Sequence, residues 1–251
     1  MKVIFISPIF CPNDNMFTKN MNSLESAIKY VLPNVKMFVI GGYCAKEEYW
    51  TEIYNLQKNS NNKIFKIYKG CINMGKAFYV NKMINYLIKQ NYDFDYILTC
   101  DSDIIFINDI IHKFKNLKLN NHGIIAANQL ENCCHVINKL DIKKVKYDDK
   151  VIIFYYSYAG EYIAGGCWFI LKNAWIEVDG YRILGVYCSD DMHLLKDIFN
   201  KNYKVCICDE LTVIHPNEEN LSYSKWKRNT SNKKMNLIDA VKDSENFWNN
   251  K

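Results

Sequence analysis

The chain has 251 residues, of which 49% are hydrophobic and 24% are charged, a composition typical of a globular protein with a substantial core. Its formal net charge is +5, which suits an anionic substrate such as a nucleotide but is too small to indicate nucleic-acid binding by itself. No run approaches the roughly 20 apolar residues of a membrane-spanning helix.

The ten cysteines do not form the pattern of a disulfide framework or of a zinc site. Several of them lie inside apolar runs, where a free thiol behaves as a small hydrophobic group: Cys100, Cys167 and Cys206. Residues 1–6 lead into Ser7-Pro8 without the apolar segment of a signal peptide. We therefore expect a reduced, cytoplasmic protein.

The first part of the chain alternates short apolar runs with segments of helical periodicity. In chain order, the patterns predict a strand at 2–7 that ends at Pro8, a helix at 18–32, a strand at 35–40 closed by Gly41-Gly42, a helix at 47–57, a strand at 63–68, a helix at 75–89 and a strand at 96–100. This alternation is typical of a doubly wound α/β fold whose sheet is mostly parallel.

The second part is less regular. It contains predicted strands at 123–127, 151–156, 167–171, 204–207 and 211–214, predicted helices at 174–178 and 190–200, and a polar, irregular segment at 129–149. Since no repeat or linker is visible, we expect one domain at 1–216. The extension at 217–251 is basic and then amphipathic, and we expect it to belong to the same unit, with a lid as one possible role.

An acidic triplet, Asp101-Ser102-Asp103, directly follows the predicted strand at 96–100. Open α/β sheets bind ligands beyond the carboxyl ends of their strands. Two carboxylates one residue apart suit a divalent cation that keeps its waters and shares oxygens with a phosphate. The alternative is a helix N-cap and a solvated turn, because Asp favours both.

Residues 70–77 nearly match the phosphate-binding loop of P-loop NTPases, with Asp101 as the magnesium ligand. Ala77 stands where that loop needs a Ser or Thr on the metal. The segment also follows a third strand rather than a first. The NTPase is therefore the weaker alternative.

An ordered set of short motifs fits a second pattern better. The motifs are Asn73-x-Gly75-x-Ala77-x-x-x-Asn81, Asp101-Ser102-Asp103, Gly165-Gly166-Cys167-Trp168, Asp179-Gly180-Tyr181-Arg182, Asp190-Asp191 and His215. With these motifs, at this spacing, the chain resembles the GT-A glycosyltransferases, especially the family 2-like enzymes, over roughly residues 1–216.

The resemblance implies a GT-A (Rossmann-like) fold, with a mostly parallel central sheet, helices on both faces and a smaller mixed sheet on the acceptor side. It also implies metal-dependent transfer of a sugar from a nucleoside diphosphate-sugar to a hydroxyl acceptor. Inversion is the prediction, and retention stays open because both kinds of enzyme share this scaffold. One departure concerns the nucleotide base, because Gly41-Gly42 follows the second strand where family 2-like enzymes have a base-reading Asp. A UDP-sugar is therefore only the default donor, and Tyr43 is a candidate for stacking on the base.

By the same resemblance, Asp101, Asp103 and His215 form the metal site. Asp103 is the direct ligand, while Asp101 contacts the ribose or a metal-bound water. An imidazole ligand favours Mn²⁺ over Mg²⁺. A purely structural histidine is the alternative for His215.

The catalytic pair implied by the resemblance is Asp190-Asp191. Asp191 is the general base that takes the proton of the attacking hydroxyl, and Asp190 stands in for the Glu of the family pair. The structural alternative is that both carboxylates only complement the dipole of the helix that they open.

The implied donor-binding residues lie at strand ends and turns: Pro8, Asn73, Gly75, Lys76, Asp101, Ser102, Asp103, Gly165, Gly166 and Trp168. Trp168 is a candidate stacking face, and Lys76 is a candidate for the diphosphate. The basic cluster at 225–228 either contacts the diphosphate from a lid or is simply solvated surface.

The acceptor is predicted to be a glycan. Two alternatives remain open. One is a hydroxymethylated base in phage or viral DNA, which the basic excess and the segment around Trp226 suggest. The other is a non-catalytic module that binds a sugar nucleotide.

Overall fold

The computed structural model describes residues 1–131, 140–147, 150–157, 163–186, 190–216, 226, 229 and 237–249. Within these ranges, the strands are β1 (Val3–Cys11), β2 (Met37–Cys44), β3 (Phe65–Gly70), β4 (Tyr96–Cys100), β5 (Ile105–Phe106), β6 (His122–Glu131), β7 (Leu140–Tyr147), β8 (Lys150–Ser157), β9 (Cys167–Leu171) and β10 (Lys204–His215). The α-helices are α1 (Asp14–Tyr30), α2 (Glu47–Asn59), α3 (Gly75–Lys89), α4 (Ile110–Lys115), α5 (Lys172–Val178), α6 (Asp190–Asn200) and α7 (Leu237–Asn249).

All of these strands belong to one sheet, in the order β3-β2-β1-β4-β9-β6-β10-β8-β7, with β5 paired to β10. The strands β3, β2, β1 and β4 are parallel. β9 runs antiparallel to β4 and β6, whereas β10 is parallel to β6 and antiparallel to β8. The predicted α/β fold with a parallel and a mixed part is confirmed, and the two parts are continuous.

Helices cover both faces of the sheet, as predicted. α1, α2 and α4 pack on one face, and α3, α5 and α6 pack on the other. The sequence of β4 is apolar throughout because the strand is buried on both faces. Ile97 contributes to one hydrophobic layer and Leu98 to the other. A central strand that is buried on both faces has no polar alternation.

The predicted ends of the first two strands were wrong. β1 continues through Pro8, because β1 pairs with β4 only as far as Ile6 and the missing N–H of proline is tolerated where one side of a strand has no ladder. β2 continues through Gly41 and Gly42. There the absence of a side chain permits close packing, since a Cβ at Gly42 would lie 1.9 Å from the carbonyl oxygen of Ile9.

The segment predicted to be irregular contains the end of β6 and all of β7. β7 lies at the edge of the sheet, where exposed lysines mask the apolar alternation of a strand. The two strands predicted at 204–207 and 211–214 are one strand, β10, whose register against β6 shifts between Cys208 and Thr212. β5 and α4 had no predicted counterpart.

The C-terminal helix α7 packs against the domain through buried Ala240 and Ser244. The Ser244 hydroxyl accepts a hydrogen bond of 3.0 Å from Asn73 Nδ2, just before α3. Trp226 stacks on Phe247, with 4.6 Å between the ring centroids. The division at residue 216 and the lid role stay predictions. Among the described helices, none is long and apolar enough to cross a membrane.

The sheet order brings several chain segments to one edge. The carboxyl ends of β4, β6 and β10 point the same way, and the antiparallel β9 begins where β4 ends. The N-terminal ends of α3 and α6 carry Lys76 and Asp191 to the same edge, where these two side chains meet. The polar residues that follow these elements are therefore close in space, although they are far apart in sequence.

Candidate active site

The acidic triplet lies at the carboxyl end of β4, beside the glycine pair that precedes β9. Cys100 pairs with Cys167, and the amide of Asp101 donates a 2.8 Å hydrogen bond to the carbonyl oxygen of Gly166. This backbone bond fixes the position from which the Asp101 and Asp103 side chains leave the sheet. Both side chains are partly exposed, so the site is open to a ligand.

Asp101, Asp103 and His215 offer ligand atoms that all lie within 4.8 Å of one another. His215 comes from the end of β10, and its Nε2 atom is 3.5 Å from Asp103 Oδ1. Two carboxylates and an imidazole are a donor set that suits Mn²⁺ and related divalent cations. The residues predicted as metal ligands are therefore brought together.

Gln129, at the end of β6, orients the imidazole. Its amide nitrogen donates to the carbonyl oxygen of Ala164 at 3.3 Å, which turns its Oε1 atom toward His215 Nδ1 at 2.9 Å. Because an amide oxygen only accepts, Nδ1 carries a proton, and Nε2 is the ring nitrogen that faces Asp103. Metal-binding histidines are commonly held in this way by a hydrogen bond at the second ring nitrogen. Sequence reasoning missed Gln129, whose only signal was its place just after a predicted strand.

Lys76, in the first turn of α3, joins the triplet to α6. Its ammonium lies 2.7 Å from Asp101 Oδ1, 2.8 Å from Asp191 Oδ1 and 3.2 Å from the carbonyl oxygen of Gly165. The contacts with Asp191 and Gly165 are hydrogen bonds, and the contact with Asp101 is an ion pair. The Lys76 side chain is only 17% exposed.

The site has more negative than positive charge. Burial, together with the carboxylates of Asp191 and Asp103, raises the pKa of Asp101 even though Lys76 opposes the shift. Burial alone would lower the pKa of Lys76, but Asp101 and Asp191 hold it well above its usual range. The raised pKa of Asp101 beside a lysine indicates that one ammonium does not offset burial and the neighbouring carboxylates. A divalent cation would supply the missing positive charge.

Asp190 and Asp191 occupy the first turn of α6, where carboxylates complement the helix dipole. Gly165 makes room for the second of them, because a Cβ at Gly165 would lie 2.0 Å from Asp191 Cγ. The dipole alone does not explain this close approach. This close approach to Gly165 places the Asp191 carboxylate directly against the turn that adjoins the acidic triplet.

Replacing Gly165 with Ala is therefore expected to displace the Asp191 carboxylate. If Asp191 is the base, the turnover number should fall about a hundredfold, the cost of misplacing a catalytic group by about 1 Å. Steady-state transfer assays with thermal melting would measure this. Gly166→Ala is the matched control, because its Cβ would meet the Gln129 amide at 2.8 Å instead. It should weaken Mn²⁺ binding and keep the wild-type turnover number at saturating Mn²⁺. Equal kinetic defects in both variants would contradict the assignment.

Burial and the Asp191 carboxylate raise the pKa of Asp190 from 3.8 to about 6. The folded state therefore binds a proton at Asp190 more tightly than the unfolded chain does. Ionisation of Asp190 consequently lowers the free energy of unfolding, with no effect below about pH 4 and the full effect above about pH 6. In EDTA, Asp190→Asn should be more stable than wild type by about 1–3 kcal/mol near pH 7.5, with the gap closing toward about pH 4. Urea unfolding across this range would measure it, and a gap independent of pH would contradict the shift.

The Asn-x-Gly turn before α3 is built by local hydrogen bonds. Asn73 Oδ1 accepts from the Gly75 amide at 3.1 Å, and Gly75 has φ +81°, in the left-handed region. A Cβ at Gly75 would also lie 2.6 Å from the Val186 carbonyl oxygen. Asn81 binds both backbone groups of Tyr181, at 2.8 and 3.0 Å. In this structure the turn positions Lys76, and donor contacts by Asn73 and Gly75 stay predictions.

The prediction that Trp168 offers a stacking face was wrong. β9 is a central strand, so Trp168 is fully buried. Its Nε1 atom donates to the carbonyl oxygen of Ala164 at 2.7 Å, which supports the turn carrying Gly165. Trp168 therefore acts on the site through the backbone that it holds.

Donor contacts by Pro8, Ser102 and Tyr43 stay predictions. Pro8 is buried in β1 opposite Gly41, and Ser102 lines a small cavity with Ser7. Tyr43 is partly buried at the end of β2. Of the basic cluster at 225–228, residues 225, 227 and 228 lie outside the described residues.

No protein-family model and no curated protein matches the chain. Solved structures do. The mannosyltransferase PcManGT from Pyrobaculum calidifontis, in complex with GDP-Man and Mn²⁺, superposes with a TM-score of 0.66 and 11% identity over 92% of this chain and 61% of that one. GalNAc-T7 with UDP, GalNAc and Mn²⁺ gives a TM-score of 0.61 and 11% identity over 98% of this chain and 54% of that one. The chain thus spans little more than half the length of these proteins, and identity this low is informative about the fold alone.

Proposed function

Because the chain has the GT-A fold, we propose that it is a metal-dependent glycosyltransferase that moves a sugar from a nucleoside diphosphate-sugar to a hydroxyl acceptor. One observation carries this proposal. The Asp101, Asp103 and His215 cluster lies at the ligand-binding edge of the sheet, and Asp191 is linked to it through Lys76. The structural neighbours were solved with Mn²⁺ and with GDP-Man or UDP, which supports a nucleotide-sugar donor.

Asp101, Asp103 and His215 would hold the cation, with Gln129 keeping His215 Nε2 directed at the site. A bound Mn²⁺ or Mg²⁺ supplies positive charge that stabilises the leaving diphosphate. The chain fits such an ion because its carboxylates exceed its own positive charge at this edge. The imidazole favours Mn²⁺.

Asp191 would act as the general base. An acceptor hydroxyl that attacks the anomeric carbon must lose its proton, and a positioned carboxylate can accept it. Direct displacement from the face opposite the diphosphate inverts the anomeric configuration. Asp190 lies beside the base at the start of α6, and Gly165 leaves the space that the Asp191 carboxylate needs. We propose a glycan as the acceptor.

The geometry gives little support to the P-loop alternative. In a P-loop the lysine reaches phosphate oxygens and the next residue provides a hydroxyl for magnesium. Here the Lys76 ammonium is bound by three protein oxygens, and Ala77 is buried in the layer beneath the sheet.

The test is product formation from a panel of UDP-, GDP-, ADP- and dTDP-sugars with glycan acceptors, in Mn²⁺ and in EDTA. The proposal expects one donor to release its nucleoside diphosphate and to yield an elongated glycan only with metal. NMR of the product linkage decides between inversion and retention. Transfer to duplex DNA but not to glycans would favour the DNA alternative. Metal-dependent binding of a donor without any turnover would favour a non-catalytic module.

A further inference from the structure

Lys76 has a feature that neither the metal site nor the base explains. It forms ion pairs with Asp101 and Asp191 at once, at 2.7 and 2.8 Å, although these residues come from β4 and α6. It also donates a hydrogen bond to the Gly165 carbonyl oxygen. The ammonium is thus surrounded by three protein oxygens, which compete with a diphosphate for it.

Hydrogen bonds hold two partners of Lys76, Asp101 and the turn at Gly165, and also the start of the helix that carries Lys76. The backbone of Asp101 is bonded to Gly166, the turn at Gly165 is supported by Trp168, and the start of α3 is set by Asn73. The Lys76 ammonium is thus the group in this cluster whose position can adjust. A change in charge at Asp101 therefore acts on Asp191 through one side chain.

We propose that Lys76 is a positioning residue that couples the metal site to the base. In the absence of metal it neutralises part of Asp101 and holds Asp191 beside it. Positive charge on the side of Asp101 that faces away from Lys76 weakens the ion pair between Lys76 and Asp101. Lys76 then pairs with Asp191 alone. This inference rests on the proposed function, because it assigns Asp191 as the base and Asp101 to the metal site.

The coupling predicts opposite changes in Mn²⁺ affinity, measured by calorimetry on the donor-free protein with Mn²⁺ alone. Lys76→Met keeps the aliphatic stem and removes a competing positive charge, so Mn²⁺ should bind about tenfold more tightly. Asp191→Asn leaves Lys76 to Asp101 alone, so Mn²⁺ should bind about tenfold more weakly. In the Lys76→Met background, Asp191→Asn should have less than about half of this effect, since the link is gone.

Kinetics separate positioning from a general structural role. Lys76→Met should lower kcat about a hundredfold while the donor KM changes less than about threefold, and Lys76→Arg should restore part of kcat. Lys82→Met, on the exposed side of the same helix, is the matched control and should leave both measurements unchanged.

Unchanged Mn²⁺ affinity in Lys76→Met, or additive effects in the double variant, would overturn the coupling while leaving the proposed function intact. A wild-type protein that binds no Mn²⁺ would overturn both.

Discussion

Replacing Asp103 with Asn is expected to lower metal-dependent release of nucleoside diphosphate about a thousandfold. The carboxylate is 3.5 Å from His215 Nε2 and belongs to the cluster that would hold the cation. Asn keeps the shape but removes the charge, and a bound metal stabilises a leaving diphosphate by several kcal/mol, with about 1.4 kcal/mol for each factor of ten. Donor turnover and Mn²⁺ binding would be measured together, and both should be lost.

The matched control is Asp93→Asn. Asp93 is exposed and pairs with Lys2 in the turn before β4, at the opposite edge of the sheet. This variant should keep wild-type turnover. Full activity of Asp103→Asn in Mn²⁺ would refute the assignment of the metal site.

Replacing Asp191 with Asn is expected to lower transfer to an acceptor by about a hundredfold to ten-thousandfold, the usual contribution of a general base. The amide cannot accept the hydroxyl proton. Donor binding at saturating Mn²⁺ should change little, because Asp191 is not among the clustered metal ligands. Single-turnover transfer assays and donor titrations would separate the two effects.

Asp197→Asn provides the control on the same helix. Asp197 pairs with Arg182 at the surface, away from the start of α6. Its loss should leave the rate of transfer unchanged. If Asp191→Asn and Asp197→Asn transferred sugar equally fast, Asp191 would not be the base.

The elements that carry the site were predictable from sequence. The helix at 75–89 and the strand at 96–100 match α3 and β4 residue for residue, as do 167–171 for β9 and 190–200 for α6. These segments have strong apolar periodicity or are buried on both faces, so local pattern and tertiary packing agree. The predicted GT-A fold is confirmed.

Contacts across the site could not be read from local pattern. Lys76 and Asp191 are 115 residues apart, and they meet because β9 is inserted antiparallel between β4 and β6. The bond between Gln129 and His215 depends on the pairing of β6 with β10. The wrong prediction for Trp168 has the same cause. An aromatic residue after two glycines can offer a stacking face only if its strand is not central, and the sequence did not show that β9 is central.

The most direct test of the central claim is a thermal-shift titration of the wild-type protein with nucleoside diphosphate-sugars, with and without Mn²⁺. A ligand that binds only the folded state at about 100 times its Kd adds about 2.7 kcal/mol of stability. We predict that one donor raises Tm by several degrees in Mn²⁺ and not in EDTA, and that Asp103→Asn abolishes this rise. An equal rise in EDTA, or a rise that Asp103→Asn retains, would contradict a metal-mediated donor site at the end of β4.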